Sequence, residues 1–254
     1  MADEFLRYIR PDEIWSAMAS VSSGDLDADY PAAWLCDLQP SYPIRTTGGN
    51  LSATITNTFD TIDVIALFNH NLLGGTGVTI GGDVAASLTA PTVPADGVPL
   101  GFYGFAGSPS AGDSITVAIA GHATDIIIGE LVAGALRTIR LPLLSSHQEE
   151  ALHKNIVPPV DLSSVMPYDK GIAFETFGGT FLVTEAEMLD LKAWWQAQRG
   201  LSRPSVIIPD PSVNIARLVS FATFRAKPIV SHQDSTPRIW TVDLLFEEYG
   251  RSRW

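Results

Sequence analysis

The sequence predicts a mostly β protein: an N-terminal antiparallel β-sandwich of jelly-roll type, followed by a β-rich module in which one amphipathic helix packs on a sheet. Three observations carry this reading. Short apolar or alternating runs divided by Gly, Pro, Asn and Asp fill the first half, as in sandwiches and jelly rolls. The second half holds one strong helix signal, residues 184–199. The last long run, residues 239–248, alternates, with Trp240, Val242, Leu244 and Phe246 on one side and Thr241, Asp243, Leu245 and Glu247 on the other.

In chain order, residues 1–29 form an N-terminal arm. Pro11 followed by acidic residues predicts a short helix over 12–19, and residues 3–10 read either as part of that entry or as an extended arm pairing with another subunit. The sandwich spans 30–142, with strand signals at 51–55, 61–68, 77–80, 114–120, 125–133 and 136–141. Residues 85–113, with Pro91, Pro94, Pro99 and Pro109 among several glycines, read as a long loop of functional or interface character. A polar, proline-bearing connector follows at 143–168, and the C-terminal module at 169–254. There Gly178-Gly179 predicts a tight hairpin turn within strand-like text. Thr184 and Glu187 form a capping box at the helix start and Gly200 stops the helix. Further strands are expected at 205–208 and 217–224.

On the helix, Met188, Leu191 and Trp195 fall on one face. Trp195 is therefore expected to be core and Trp194 to lie at the edge, either half buried against the domain's own loop or anchoring an interface, where tryptophan is enriched.

Net charge is 16 − 28 = −12, which argues against nucleic-acid binding, where Lys and Arg must neutralise phosphates. Charged residues make up only 17% of a chain with positive mean hydropathy, a composition that excludes disorder and suits a subunit whose surface is shared with partners. The N-terminus lacks the apolar core of a secretion signal, and no run reaches the roughly 20 apolar residues of a membrane-spanning helix. The single cysteine, Cys36, stands in apolar text and reads as a buried, inert thiol.

Enzymatic chemistry finds little support. No Gly-x-Ser-x-Gly occurs, and Gly74-Gly75-Thr76-Gly77 lacks the Lys-Ser/Thr of a phosphate loop and leads into a strand. Glu247 and Glu248 point to opposite faces. The five histidines show no zinc-ligand spacing, and His122 and His232 read as exposed turn residues. Asn69, His70 and Asn71, ending an apolar strand, read as turn residues that satisfy backbone groups, with ligand contact as the alternative. No catalytic residue, metal site or cofactor is predicted.

Two resemblances add to this. Residues 189–200 (LDLKAWWQAQRG), Pro209-Asp-Pro, Ala216-Arg217-Leu-Val with Phe221, and 240–248 (WTVDLLFEE) resemble the tail-tip and minor tail proteins of long-tailed bacteriophages. That resemblance implies a virion structural protein similar to distal tail proteins, made in the host cytoplasm and assembled, six copies to a ring, between tail tube and baseplate or receptor-binding tip. Its interface would include Trp194, Arg199 and Arg217, its partners would be other tail proteins, and an acidic lumen would not retain passing DNA. Residues 30–35 (YPAAWL), 62–71 (IDVIALFNHN) and 126–132 (IIIGELV) are similar to discoidin or galactose-binding-like jelly rolls. That second likeness implies loops able to hold a host glycan, and so an alternative function as a carbohydrate-binding module used in host adsorption.

Overall fold

The structure is a computed structural model that describes residues 5–40, 42–93, 101–140, 148–156, 168–198, 203–208, 220–224, 228–233 and 239–248. It is mostly β, with antiparallel pairing throughout. The chain opens on β1 (Phe5–Ile9), passes two 3-10 turns (Pro11–Glu13 and Trp15–Met18), and enters β2 (Ser20–Ser23). A third 3-10 turn, Ala32–Cys36, precedes β3 (Ile44–Arg45), β4 (Leu51–His70), β5 (Gly77–Gly82), β6 (Ala86–Thr89), β7 (Phe102–Ile119) and β8 (Ile127–Gly134). Then come β9 (Arg137–Arg140), β10 (Gln148–Ile156), β11 (Tyr168–Thr184), the helix α1 (Glu185–Ala197), β12 (Ser205–Ile208), β13 (Ser220–Phe224), β14 (Ile229–Gln233) and β15 (Ile239–Glu248).

The first sheet runs β3-β8-β4-β7-β5-β6, with β2 on β4; the second runs β10-β11-β15-β13-β12-β1-β9, with β14 on β15. The second sheet therefore recruits β1 and β9 from either side of the first in sequence. β1 pairs inside its own chain, Tyr8 opposite Ile207 on one flank and opposite Arg137 on the other.

Period-2 alternation explains the layering. Leu6 and Tyr8 on β1 and Ile207 on β12 face the helix side, packing with Leu191, Trp194, Phe224 and Phe246. Their neighbours Ile9, Val206 and Ile208 face the other way, onto Val64, Ala66 and Phe68 of β4 and Val132 of β8. β4 and β8 are thus buried on both faces, because the first sheet also curls around its own core of Ile62, Ile65, Leu67, Ile115, Leu131 and others. That double burial is why residues 62–68 and 126–133 read as near-continuous apolar runs.

Several expectations are corrected. Within 12–19 the expected helix is replaced by 3-10 turns held by tertiary partners: the Trp15 indole donates to the Asn57 carbonyl at 2.9 Å, the Asn57 side-chain amide donates to the Trp15 carbonyl at 3.2 Å, and the Ser16 hydroxyl accepts from the Ala133 amide at 3.1 Å. The expected loop at 85–113 contains β6 and most of the 18-residue β7. Gly104, Gly107, Pro109 and Gly112 lie within β7, whose pairing with β4 shifts register between Thr56 and Val64, while residues 94–100 of the expected loop lie outside the described residues. Gly178 and Gly179 make no turn; they lie mid-strand, Gly178 between Gln148 of β10 and Leu245 of β15. Residues 148–156, expected in the connector, are strand β10, and His232 lies on β14 opposite Trp240. Gly200, Arg199 and Arg217 lie outside the described residues.

At the start of α1 the Glu187 amide donates to the Thr184 hydroxyl and the Thr184 amide donates to the Glu187 carboxylate at 2.7 Å, the expected capping box. The two tryptophans exchange roles. Trp194 is fully buried, stacked 3.8 Å from the Tyr8 ring and donating to the Ser205 hydroxyl at 2.7 Å. Trp195 is only partly buried against the same cluster. At about 100° per residue, Met188, Leu191, Trp194, Trp195 and Gln198 all fall within one arc. Leu191 lies at its centre, and the buried Gln198 beside it donates to Ser205 and accepts from the Phe224 amide at 3.0 Å.

Candidate functional site

One end of the first sheet brings three aromatic rings and an ion pair to the surface. Pro31 precedes the 3-10 turn Ala32–Cys36, whose Leu35 and Cys36 plug the core while Trp34 is partly buried against it. Trp34 meets Tyr30 edge-on, with centroids 6.3 Å apart, and Tyr42 at a tilt, 5.7 Å apart. Tyr42 is 52% exposed. Beside them Arg45 on β3 reaches the Asp125 carboxylate, 2.8 Å from Nη2 and 3.2 Å from Nε. The hydrogen bond to Asp125, and then the nearness of the Tyr30 hydroxyl, hold the Arg45 guanidinium above its ordinary range. The Asp27 amide donates to the Arg45 carbonyl at 2.9 Å and the Tyr30 amide to the Asp27 carbonyl at 3.0 Å, which sets the aromatic strip beside the ion pair.

Asn69, His70 and Asn71 lie beneath this face and hold its loops. The Asn69 amide donates to the Pro40 carbonyl at 3.0 Å, from a backbone at φ 47°. Asn71 donates to the Asp125 carbonyl at 2.7 Å and accepts from the Ile127 amide at 2.8 Å. His70 is fully buried; its Nδ1 accepts from the Leu72 amide at 3.1 Å and its ring stands edge-on to Phe102. All three side chains thus bond backbone groups. Gly129 opposite them has no room for a side chain, since a Cβ there would stand 2.2 Å from the Pro40 carbonyl oxygen.

Below the loop that leads to Tyr42 sits Glu130 on β8, fully buried, its carboxyl oxygens without a hydrogen-bond partner. Burial, then the neighbouring Asp37 carboxyl, pushes the Glu130 carboxyl well above its ordinary range, and the nearby amides of Gln39 and Leu38 only partly offset this. Burial also raises Asp37, and raises the Cys36 thiol, which is 3% exposed, as expected for an inert cysteine. No substrate reaches Glu130, so this carboxyl pair does not serve as an acid–base dyad. Among the described residues, no group of three or more His, Cys, Asp or Glu is arranged for a metal ion, and no helix is long and apolar enough to cross a membrane.

Sequence reasoning missed Tyr42, Arg45, Asp125 and Glu130. The available signal was the run of aromatics punctuated by Pro31 and Pro43, since a loop that keeps tryptophan and tyrosine between prolines presents them rigidly.

No protein-family model matches the sequence, and no curated protein matches it. Among solved structures, the lectin domain of lectinolysin in complex with Lewis B antigen overlaps 48% of this chain and 95% of its own, at 12% identity and a TM-score of 0.38. The family 32 carbohydrate-binding module of NanJ from C. perfringens, in complex with galactose, overlaps 49% of this chain and 98% of its own, at 13% identity and a TM-score of 0.38. A module from Clostridium perfringens in complex with GalNAc-β-1,3-galactose overlaps 48% and 99%, at 10% identity and the same TM-score. These overlaps supply no residue correspondence for the face described above.

Proposed function

We propose that this chain is a non-enzymatic recognition protein whose first sheet binds carbohydrate through the Tyr30–Trp34–Tyr42 strip and the Arg45–Asp125 pair, as an adsorption module does. The observation that carries this is a partly exposed aromatic strip, Tyr30, Trp34 and Tyr42, set beside the Arg45–Asp125 ion pair. A sugar ring offers a flat C–H face and a rim of hydroxyls. The electron-rich faces of aromatic rings attract the former, and a guanidinium beside a carboxylate donates to and accepts from the latter. A shallow site with few polar anchors fits a flat polar ligand better than an apolar one. Glycan-array screening of the purified chain should therefore give saturable hits. Trp34→Ala should weaken them by roughly tenfold or more, the equivalent of about 1.4 kcal/mol, with the thermal midpoint little changed. Undiminished binding by the variant would refute the assignment.

A second reading, a tail-tip structural subunit of a phage virion, is favoured by a separate observation. β15 ends opposite Thr176, whereas β10 and β11 continue pairing as far as Ile156 opposite Tyr168. Among the described residues a two-stranded ribbon thus continues past the end of the β11–β15 pairing, and such a ribbon is marginal in water without a partner. Its outer edge is a template for another chain. On this reading the ribbon joins copies into a ring and meets neighbouring tail proteins. Light scattering should then give a closed oligomer, six copies by family expectation; a persistent monomer that binds glycans but no tail protein would leave only the first reading.

A further inference from the structure

A cavity of about 450 Å³ opens between α1 and the second sheet, far in sequence from the aromatic end face. Its floor is Met188, Leu191 and Val242, and its walls are Trp195 and Trp240. Lys192 and Gln196, one helical turn apart, stand exposed at its mouth.

Trp194 takes the fully buried position, while the partly buried Trp195 tilts its ring against Phe224 with centroids 5.7 Å apart. One side of Trp195 then borders the cavity. The volume lies within the range of about 300–1,000 Å³ usual for small-molecule sites, which are likewise mostly apolar with a few polar groups fixing orientation.

Charge selects the ligand. Among the described residues no carboxylate forms an ion pair with Lys192: Glu187 is engaged in the capping box and Asp190 approaches Arg137 at 4.0 Å. In a chain of net charge −12, an unengaged cation at the mouth of an apolar cavity is complementary to an anion whose remainder is hydrophobic. We propose that this cavity is a binding site for a small amphipathic carboxylate, its aromatic or branched body held between Trp195 and Trp240 and its carboxylate at Lys192 and Gln196.

The test uses the full chain and 4-phenylbutyrate as probe, with the uncharged 4-phenylbutanamide as control, by isothermal titration calorimetry. The expected result is one saturable site for the acid, with Lys192→Gln weakening the acid roughly tenfold and leaving the amide unchanged. Lys192 is exposed, so an unaltered thermal midpoint shows the variant is folded. Absence of saturable binding, or equal loss for acid and amide, overturns the proposal. So does acid binding that Lys192→Gln does not weaken. A cavity filled by another segment of this same chain would appear as the first of these outcomes.

Discussion

Trp194→Ala should lower the stability of the second sheet and its helix by about 3–5 kcal/mol, the range for deleting a large buried aromatic side chain. Trp194 is fully buried, stacks on Tyr8 and lies 4.6 Å from Phe224 and 5.5 Å from Phe246, centroid to centroid. Few neighbours can collapse into the space, since Tyr8 is held in β1 between two partner strands. The substitution also strips the Ser205 hydroxyl of one donor, leaving Gln198 as its remaining side-chain partner. Differential scanning calorimetry should show the midpoint falling by roughly 2–4 °C per kcal/mol in a chain of this size. An unchanged midpoint with altered self-association would instead return Trp194 to the interface role expected from sequence.

Glu130→Gln should stabilise the protein at neutral pH and flatten its pH dependence. The folded chain holds the Glu130 proton well above the ordinary carboxyl range, mainly because the group is buried. The unfolded chain releases that proton near pH about 4.3. Stability from this group is therefore fully present below that value and is lost as pH rises toward the folded pKa, because the native state binds more protons over that interval. Glutamine carries no such proton. Wild type and variant should have similar midpoints near pH 4, with the variant gaining about 1–3 kcal/mol by pH 8, the scale of an unsatisfied buried polar group. Parallel midpoint curves from pH 4 to 8 would show that Glu130 does not titrate as its burial requires.

Much of the second sheet was legible because its signals are local. Residues 205–208 and 239–248 are strands with the expected bounds, and the Thr184–Glu187 cap forms as read. What failed depended on partners distant in sequence. Gly178-Gly179 resembles a turn until β10 and β15 are found flanking it, and β7 resembles a loop until β4 supplies a bulged partner. Whether Trp194 or Trp195 faces the sheet was undecidable from apolar spacing alone, because Gln198, a polar residue, is buried and sets the helix rotation. The candidate site was hidden for the same reason. Arg45 and Asp125 are 80 residues apart, and only the pairing of β3 with β8 brings them together.

The six tryptophans offer the most direct test of carbohydrate recognition at the end face. The indole N–H resonances of the 15N-labelled chain can be followed during titration with the strongest glycan from the array, and assigned through single Trp→Phe variants. The Trp34 resonance should shift with ligand while that of buried Trp194 stays fixed. A titration in which Trp34 does not move, or in which only Trp195 and Trp240 respond, would contradict carbohydrate recognition there.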